Sequence, residues 1–115
     1  MKKSAKPYLE DILNSIFQIE EYFGDVDQKF ESFIKDTKTQ DSIIRRLEII
    51  GEATKRLEEE FKQSYQDIPW KRMTGMRDVL IHDYDEADLE QIWQVIIDDL
   101  PILKDQILEI LKLHE

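Results

Sequence analysis

An all-α bundle of four main helices and one short helix is the fold this chain predicts, on three observations. Apolar residues recur at intervals of three and four through most of its 115 residues, the period of helices that bury one stripe. Only three glycines and three prolines punctuate that length, too few for the many tight turns of an all-β fold. Hydrophobic residues make up 41% and charged residues 37%, which suits amphipathic helices with solvated outer faces and is too apolar for a disordered acidic segment. The length fits one domain, residues 1–115, around a single core.

The first helix is expected over Pro7–Phe23, where Leu9, Ile12, Leu13, Ile16, Phe17, Ile19 and Phe23 keep the helical period and Pro7 suits the first turn. Gly24-Asp25 ends it. A short helix follows over Val26–Lys35 with Val26, Phe30, Phe33 and Ile34 inward, and the polar run Lys35–Gln40 reads as a connection. The third helix is expected over Asp41–Gln63, with Asp41 near the positive end of the macrodipole and Ile43, Ile44, Leu47, Ile50, Leu57 and Phe61 as its buried stripe. Gly51 inside it costs about 1 kcal/mol relative to alanine, so a close helix crossing is the expected compensation.

Ser64–Asp67 is a loop, and Pro69 opens a fourth helix in a permitted first-turn position. That helix carries Trp70, Met73, Met76, Val79, Leu80 and Ile81. Asp85 is a candidate N-cap for a fifth helix, whose apolar residues run from Leu89 through Ile92, Trp93, Ile96, Ile97, Leu100, Leu103, Ile107, Leu108 and Ile110 to Leu111. Pro101 lies inside that run and predicts a kink. Trp70 and Trp93 read as core anchors rather than platforms for bases. The fifth helix is apolar over much of its circumference and needs cover on more than one side, which pairing with a second copy would supply.

The chain carries a net charge of −10. That argues against broad, sequence-blind nucleic-acid binding, whose affinity comes from cations meeting phosphates. The distribution is uneven: residues 35–77 carry ten basic and eight acidic side chains, whereas residues 78–115 carry two and eleven. The middle third is where an RNA contact is to be sought. Arg45-Arg46 and Lys55-Arg56 there are either ordinary solvated helix faces or part of a phosphate-facing stripe; Glu58-Glu59-Glu60 reads as solvated. There is no cysteine, which excludes a disulfide framework and thiolate metal sites. The basic start, Met1-Lys2-Lys3-Ser4-Ala5-Lys6, runs into Glu10 and Asp11 before any apolar segment forms, so no signal peptide is expected. No apolar run is long enough for a membrane span, and the expected location is the cytoplasm.

Chemistry gathers in one stretch, Arg77-Asp78-Val79-Leu80-Ile81-His82-Asp83-Tyr84. It holds a cation, an imidazole and a phenol. On a single α-helix Arg77 and Tyr84 share a face, about 20° off register. His82 sits roughly 140° around from Arg77 and about 7.5 Å along the axis, so the groups converge only where the helix loosens or a second copy of the chain completes the site. No Gly-rich phosphate loop and no H-E-x-x-H is present. One histidine in the folded pattern cannot make a multi-histidine metal site, even with Asp78, Asp83 and Asp85 adding carboxylates, and His114 lies one residue from the end. Neither a metal nor a cofactor is expected. Read by itself, the stretch admits a plain structural role: Arg77 paired with Asp78 or Asp83, His82 at a helix end against the negative dipole, and Tyr84 packed with its hydroxyl in water. It also admits metal-free RNA cleavage, for which histidine titrates near neutrality and the arginine fork matches phosphate oxygens.

Arg77, four residues, then His82-x-Tyr84 resembles the R-x4-H-x-Y signature of HEPN domains of the small HepT-like branch. Gly51-Glu52-Ala53, Ile68-Pro69-Trp70, Gly75-Met76-Arg77-Asp78 and Asp98-Asp99-Leu100-Pro101 stand in the order and approximate spacing of that branch, so the resemblance covers roughly residues 8 to 110. It implies a HEPN-like four-helix up-and-down bundle that dimerises. It implies an endoribonuclease toxin with Arg77 and His82 as the catalytic pair and Asp78 orienting one of them, two copies of the motif meeting at the dimer interface. It also implies a partner antitoxin, a minimal nucleotidyltransferase that transfers AMP to Tyr84. A different class stands beside it: a non-catalytic helical subunit that holds nucleotide or substrate for such a nucleotidyltransferase. A purely structural dimeric bundle is a third reading.

Overall fold

The computed structural model describes residues 5–24, 29–75 and 89–113, among which all regular structure is helical. In chain order the elements are α1 (Ala5–Gly24), α2 (Phe30–Phe33), α3 (Thr37–Arg56), α4 (Glu59–Gln63), α5 (70–75), α6 (Leu89–Gln94), a π turn (Val95–Asp99) and α7 (Leu100–Leu113). Val26, Val79, Leu80, Ile81, Met76 and Asp85, assigned roles above, lie outside the described residues.

The main pairing is α1 along α3, with α7 packed on α1. It is built as the periodicity demands: α1 buries Leu9, Ile12, Ile16, Ile19 and Phe23, and α3 buries Ile43, Ile44, Leu47 and Ile50. Gly51 is buried on α3 with them. Phe17 departs from the expected stripe and is exposed, its ring lying 5.3 Å from the Lys104 ammonium of α7. Lys104 also meets Glu20 at 3.1 Å, so one lysine ties α7 to α1 through its charge and covers an aromatic face.

The expected third helix is in fact two. α3 stops at Arg56, Leu57 takes an extended backbone while its side chain stays buried, and α4 restarts at Glu59. The charges match that break, since Lys55 and Arg56 occupy the last turn of α3, where carbonyls point outward, and Glu59 and Glu60 occupy the first turn of α4. Phe61, set in the buried stripe above, is only half-buried. At the other end α3 begins at Thr37 inside the run read as a connection, because Asp36 caps it. Ile34, expected inward, is exposed.

An aromatic cluster joins the ends of three elements. Trp93 of α6 stands 5.1 Å from Phe23 and 5.6 Å from both Phe30 and Phe33, centroid to centroid, in tilted and edge geometries that favour ring quadrupoles. Trp93 is therefore a core anchor. Just before Pro101, where a kink is expected, the backbone forms the π turn: the Leu100 N–H donates to the Val95 carbonyl five residues back. Proline has no N–H to give and its ring crowds the carbonyl four residues earlier, and widening the preceding turn makes room for it. Beyond it α7 buries Leu100, Leu103, Ile107 and Ile110, while Ile97 and Leu108 of the apolar run, with Ile102 and Leu113, remain exposed. Among the described residues no helix is long and apolar enough to cross a membrane.

The Asp36 cap yields a pH-dependent expectation. The Thr39 hydroxyl donates to Oδ2 at 2.6 Å and the Thr39 N–H to Oδ1 at 3.1 Å, and these bonds, the hydroxyl first, hold the carboxylate below its ordinary 3.8. A depressed folded-state pKa means a contribution fully present above the unfolded value and lost as pH falls through the folded one. Asp36→Asn should therefore retain much of the cap near pH 7 yet show a weaker fall in thermal stability than the parent between pH 4 and pH 2, and Asp36→Ala should lower the melting temperature at neutral pH. Melting curves across that range check both.

Candidate active site and the elements that hold it

Arg77, Asp78, His82 and Tyr84 lie outside the described residues. The elements on either side are described. α5 leads toward Arg77 from residue 70, and its first residue is fixed by its own indole: Trp70 Nε1–H donates to the carbonyl oxygens of Lys62 at 3.1 Å and Tyr65 at 3.0 Å. These belong to the last turn of α4 and the turn after it, and each also accepts a backbone N–H, from Tyr65 at 3.1 Å and from Ile68 at 3.2 Å. Phe61 packs 6.1 Å from the Trp70 ring and 5.1 Å from Tyr65. Met73, one turn on, is buried.

A second attachment runs from α5 to the π turn. Arg72 Nη2 stands 2.8 Å from Asp99 Oδ2, an ion pair whose angle falls short of a hydrogen bond. Gln106 of α7 donates to the Asp67 carbonyl at 3.3 Å, holding the turn before α5 on the same side. The Ile68-Pro69-Trp70 and Asp98-Asp99-Leu100-Pro101 segments thus meet through Arg72 and Asp99. Arg72 is the residue that sequence reasoning missed; its only signal is a place one helical turn beyond the proline that opens α5.

The basic pairs on α3 separate in space. Arg45 and Arg56 line a groove between α1 and α3 of about 400 Å³, together with Tyr8 and Asp11 of α1 and Glu48 and Glu52 of α3. Arg45 leans on Glu48 at 3.5 Å. Among the described residues no group of three or more histidine, cysteine, aspartate or glutamate side chains is placed to hold a metal ion.

Comparison with known proteins decides the family. A family model described as ribonuclease HepT-like matches residues 12–110. The chain belongs to the HepT-like ribonuclease family. A protein of Thermococcus cleftensis named "Probable ribonuclease HepT" is 47% identical over 104 residues, covering 90% of this chain and 93% of that protein. A candidate RNase of Caldanaerobacter subterraneus subsp. tengcongensis is 43% identical over 111 residues, 96% of each chain. In Methanocaldococcus jannaschii a longer protein, named for a gamma-glutamylcyclotransferase and a candidate RNase, is 46% identical over 112 residues, and the chain spans 50% of its length. No solved structure matches this HepT-like chain. The all-α fold agrees with the family.

Proposed function

We propose that the chain is a HepT-like toxin, a metal-independent endoribonuclease acting as a homodimer within a type VII-like toxin–antitoxin pair and neutralised by a minimal nucleotidyltransferase. The observation that carries this reading is family membership across residues 12–110 combined with Arg77, His82 and Tyr84 at R-x4-H-x-Y spacing. The RNA supplies its own nucleophile. His82 takes the proton from the 2′-hydroxyl, the freed oxygen attacks the adjacent phosphorus, and the P–O5′ bond breaks as the His82 imidazolium returns that proton to the 5′-oxygen, giving a 2′,3′-cyclic phosphate and a 5′-hydroxyl. Arg77 lays its fork on the phosphorane oxygens as charge builds there, and Asp78 orients the arginine or the imidazole. With Arg77 of one chain facing His82 of its partner, the separation of roughly 140° on one helix ceases to matter. The net charge of −10 favours a second reading, a non-catalytic subunit that holds nucleotide or substrate for the nucleotidyltransferase.

Purified protein should cleave RNA equally with and without EDTA, and His82→Ala or Arg77→Ala should slow cleavage by about 10²–10⁴, the usual weight of an acid–base group. Expression without the antitoxin should slow growth, and either substitution should relieve it. Undiminished cleavage by purified His82→Ala would place the activity elsewhere, and a parent protein that cuts no RNA would leave the second reading.

Tyr84 is the proposed point of control. Its phenolic oxygen attacks the α-phosphorus of ATP on the partner enzyme, pyrophosphate leaves, and the attached AMP sets a phosphate anion beside Arg77 that competes for the guanidinium and repels the RNA backbone. Incubation with the partner, ATP and Mg²⁺ should add AMP-sized masses at Tyr84 and none in Tyr84→Phe, as intact-mass analysis reads. Inhibition retained in Tyr84→Phe would mean that the antitoxin acts by binding alone.

A further inference from the structure

An acidic chain that holds RNA needs contacts other than a broad field of cations, namely stacking, hydrogen bonds to the 2′-hydroxyl and bonds to base edges. The groove between α1 and α3 gathers the groups for all three. Arg45 and Arg56 lie eleven residues apart on α3, about 20° off register and about 16.5 Å along the axis, so both line the same groove, one toward each end of that span. Tyr8, half-buried against the core, presents a ring edged by water. The carboxylates of Asp11, Glu48 and Glu52 stand between and beside the cations and accept hydrogen bonds only. Ile49 and Ala53 supply apolar lining. A volume of about 400 Å³ lies at the lower end of ligand-sized sites.

We propose that this groove is a subsite for one nucleotide of single-stranded RNA, with Arg45 and Arg56 at the flanking phosphates, Tyr8 stacked on the base, and the carboxylates accepting from the ribose hydroxyl and from base amino groups. The substrate class rests on the nuclease reading above; the residues and geometry do not. The mixture of charges explains why the site suits a nucleotide rather than a bare stretch of backbone: two cations meet two phosphates, while acceptor-only carboxylates select the donors that RNA has and DNA lacks at the sugar. The loose Arg45 to Glu48 contact of 3.5 Å leaves that arginine able to turn to a phosphate.

Binding of short single-stranded oligonucleotides to a His82→Ala background, which keeps the RNA intact, tests this apart from cleavage. RNA should bind several-fold tighter than DNA of the same sequence, and the groove's two phosphates should add about −1.4 to the slope of log K against log salt on a single strand. Arg56→Gln, at an exposed position, should make the slope shallower by about 0.7. Tyr8→Ala should weaken binding about tenfold, the size of one lost stack, while Tyr8→Phe stays within about twofold. Parental affinity and slope in Arg56→Gln together with parental affinity in Tyr8→Ala would overturn the subsite, as would RNA and DNA binding equally. Binding of oligo-arginine that is lost in Glu48→Gln, with no RNA binding, would assign the groove to a cationic peptide instead. A parent that binds RNA as described yet cleaves none would refute the nuclease reading and leave the subsite standing.

Discussion

The Trp70 indole is the point on which the arrangement around the candidate site depends. One N–H shared between the Lys62 and Tyr65 carbonyl oxygens fixes the start of α5 against the end of α4. Each of those carbonyls also accepts a backbone N–H three residues on, Tyr65 to Lys62 at 3.1 Å and Ile68 to Tyr65 at 3.2 Å, so the indole adds a second bond to a turn already closed and ties α5 to it. Arg72 on Asp99 and Gln106 on the Asp67 carbonyl add attachments from the π turn and α7 to the same short region. A surface ion pair alone contributes little, about 0–1 kcal/mol. Its value here is directional: it sets the rotation of α5 from outside while Trp70 and Met73 set it from the core.

The π turn belongs to the same design. Pro101 obliges the preceding backbone to widen, and the widened turn carries Asp99 to where Arg72 reaches it. A proline that would cost stability in an ordinary helix interior thereby shapes the surface α5 rests on. Charge follows a comparable logic across the chain. Acidic residues crowd positions 78–115, and positive balance is confined to residues 35–77, where Arg72 makes the α5 attachment and Arg45 and Arg56 line the α1–α3 groove.

Much of this is legible in the sequence, and the exceptions have physical causes. Helix type and the α1 and α3 stripes follow directly from three-and-four spacing, because most helical stability in a folded protein comes from burying one apolar face. The break at Leu57 is hidden by the continuing apolar period, although cations at Lys55 and Arg56 followed by Glu58-Glu59-Glu60 carry the charge signature of one helix ending and another starting. Asp36 sits in a run that reads as a polar connection, yet it is a capping residue followed by Thr39 with both a hydroxyl and an N–H to give. Phe17 and Ile34 show that period alone overstates the buried set, since a long cation such as Lys104 can cover an exposed ring. The Arg72 to Asp99 pair and the Tyr8 groove join residues far apart in the chain and leave no local pattern to read. Arg77, His82 and Tyr84 are legible as a motif, but a motif specifies residue types and spacing, and the site proposed for them is shared by two chains.

That sharing is the central claim, and subunit complementation tests it most directly. Arg77→Ala and His82→Ala proteins, each inactive alone, are unfolded and refolded together so that subunits assort at random, and RNA cleavage is measured. If Arg77 of one chain works with His82 of the other, half of the dimers carry one intact composite site, and the mixture should recover about a quarter of parental activity. A mixture no more active than either variant alone would contradict a site built across two copies.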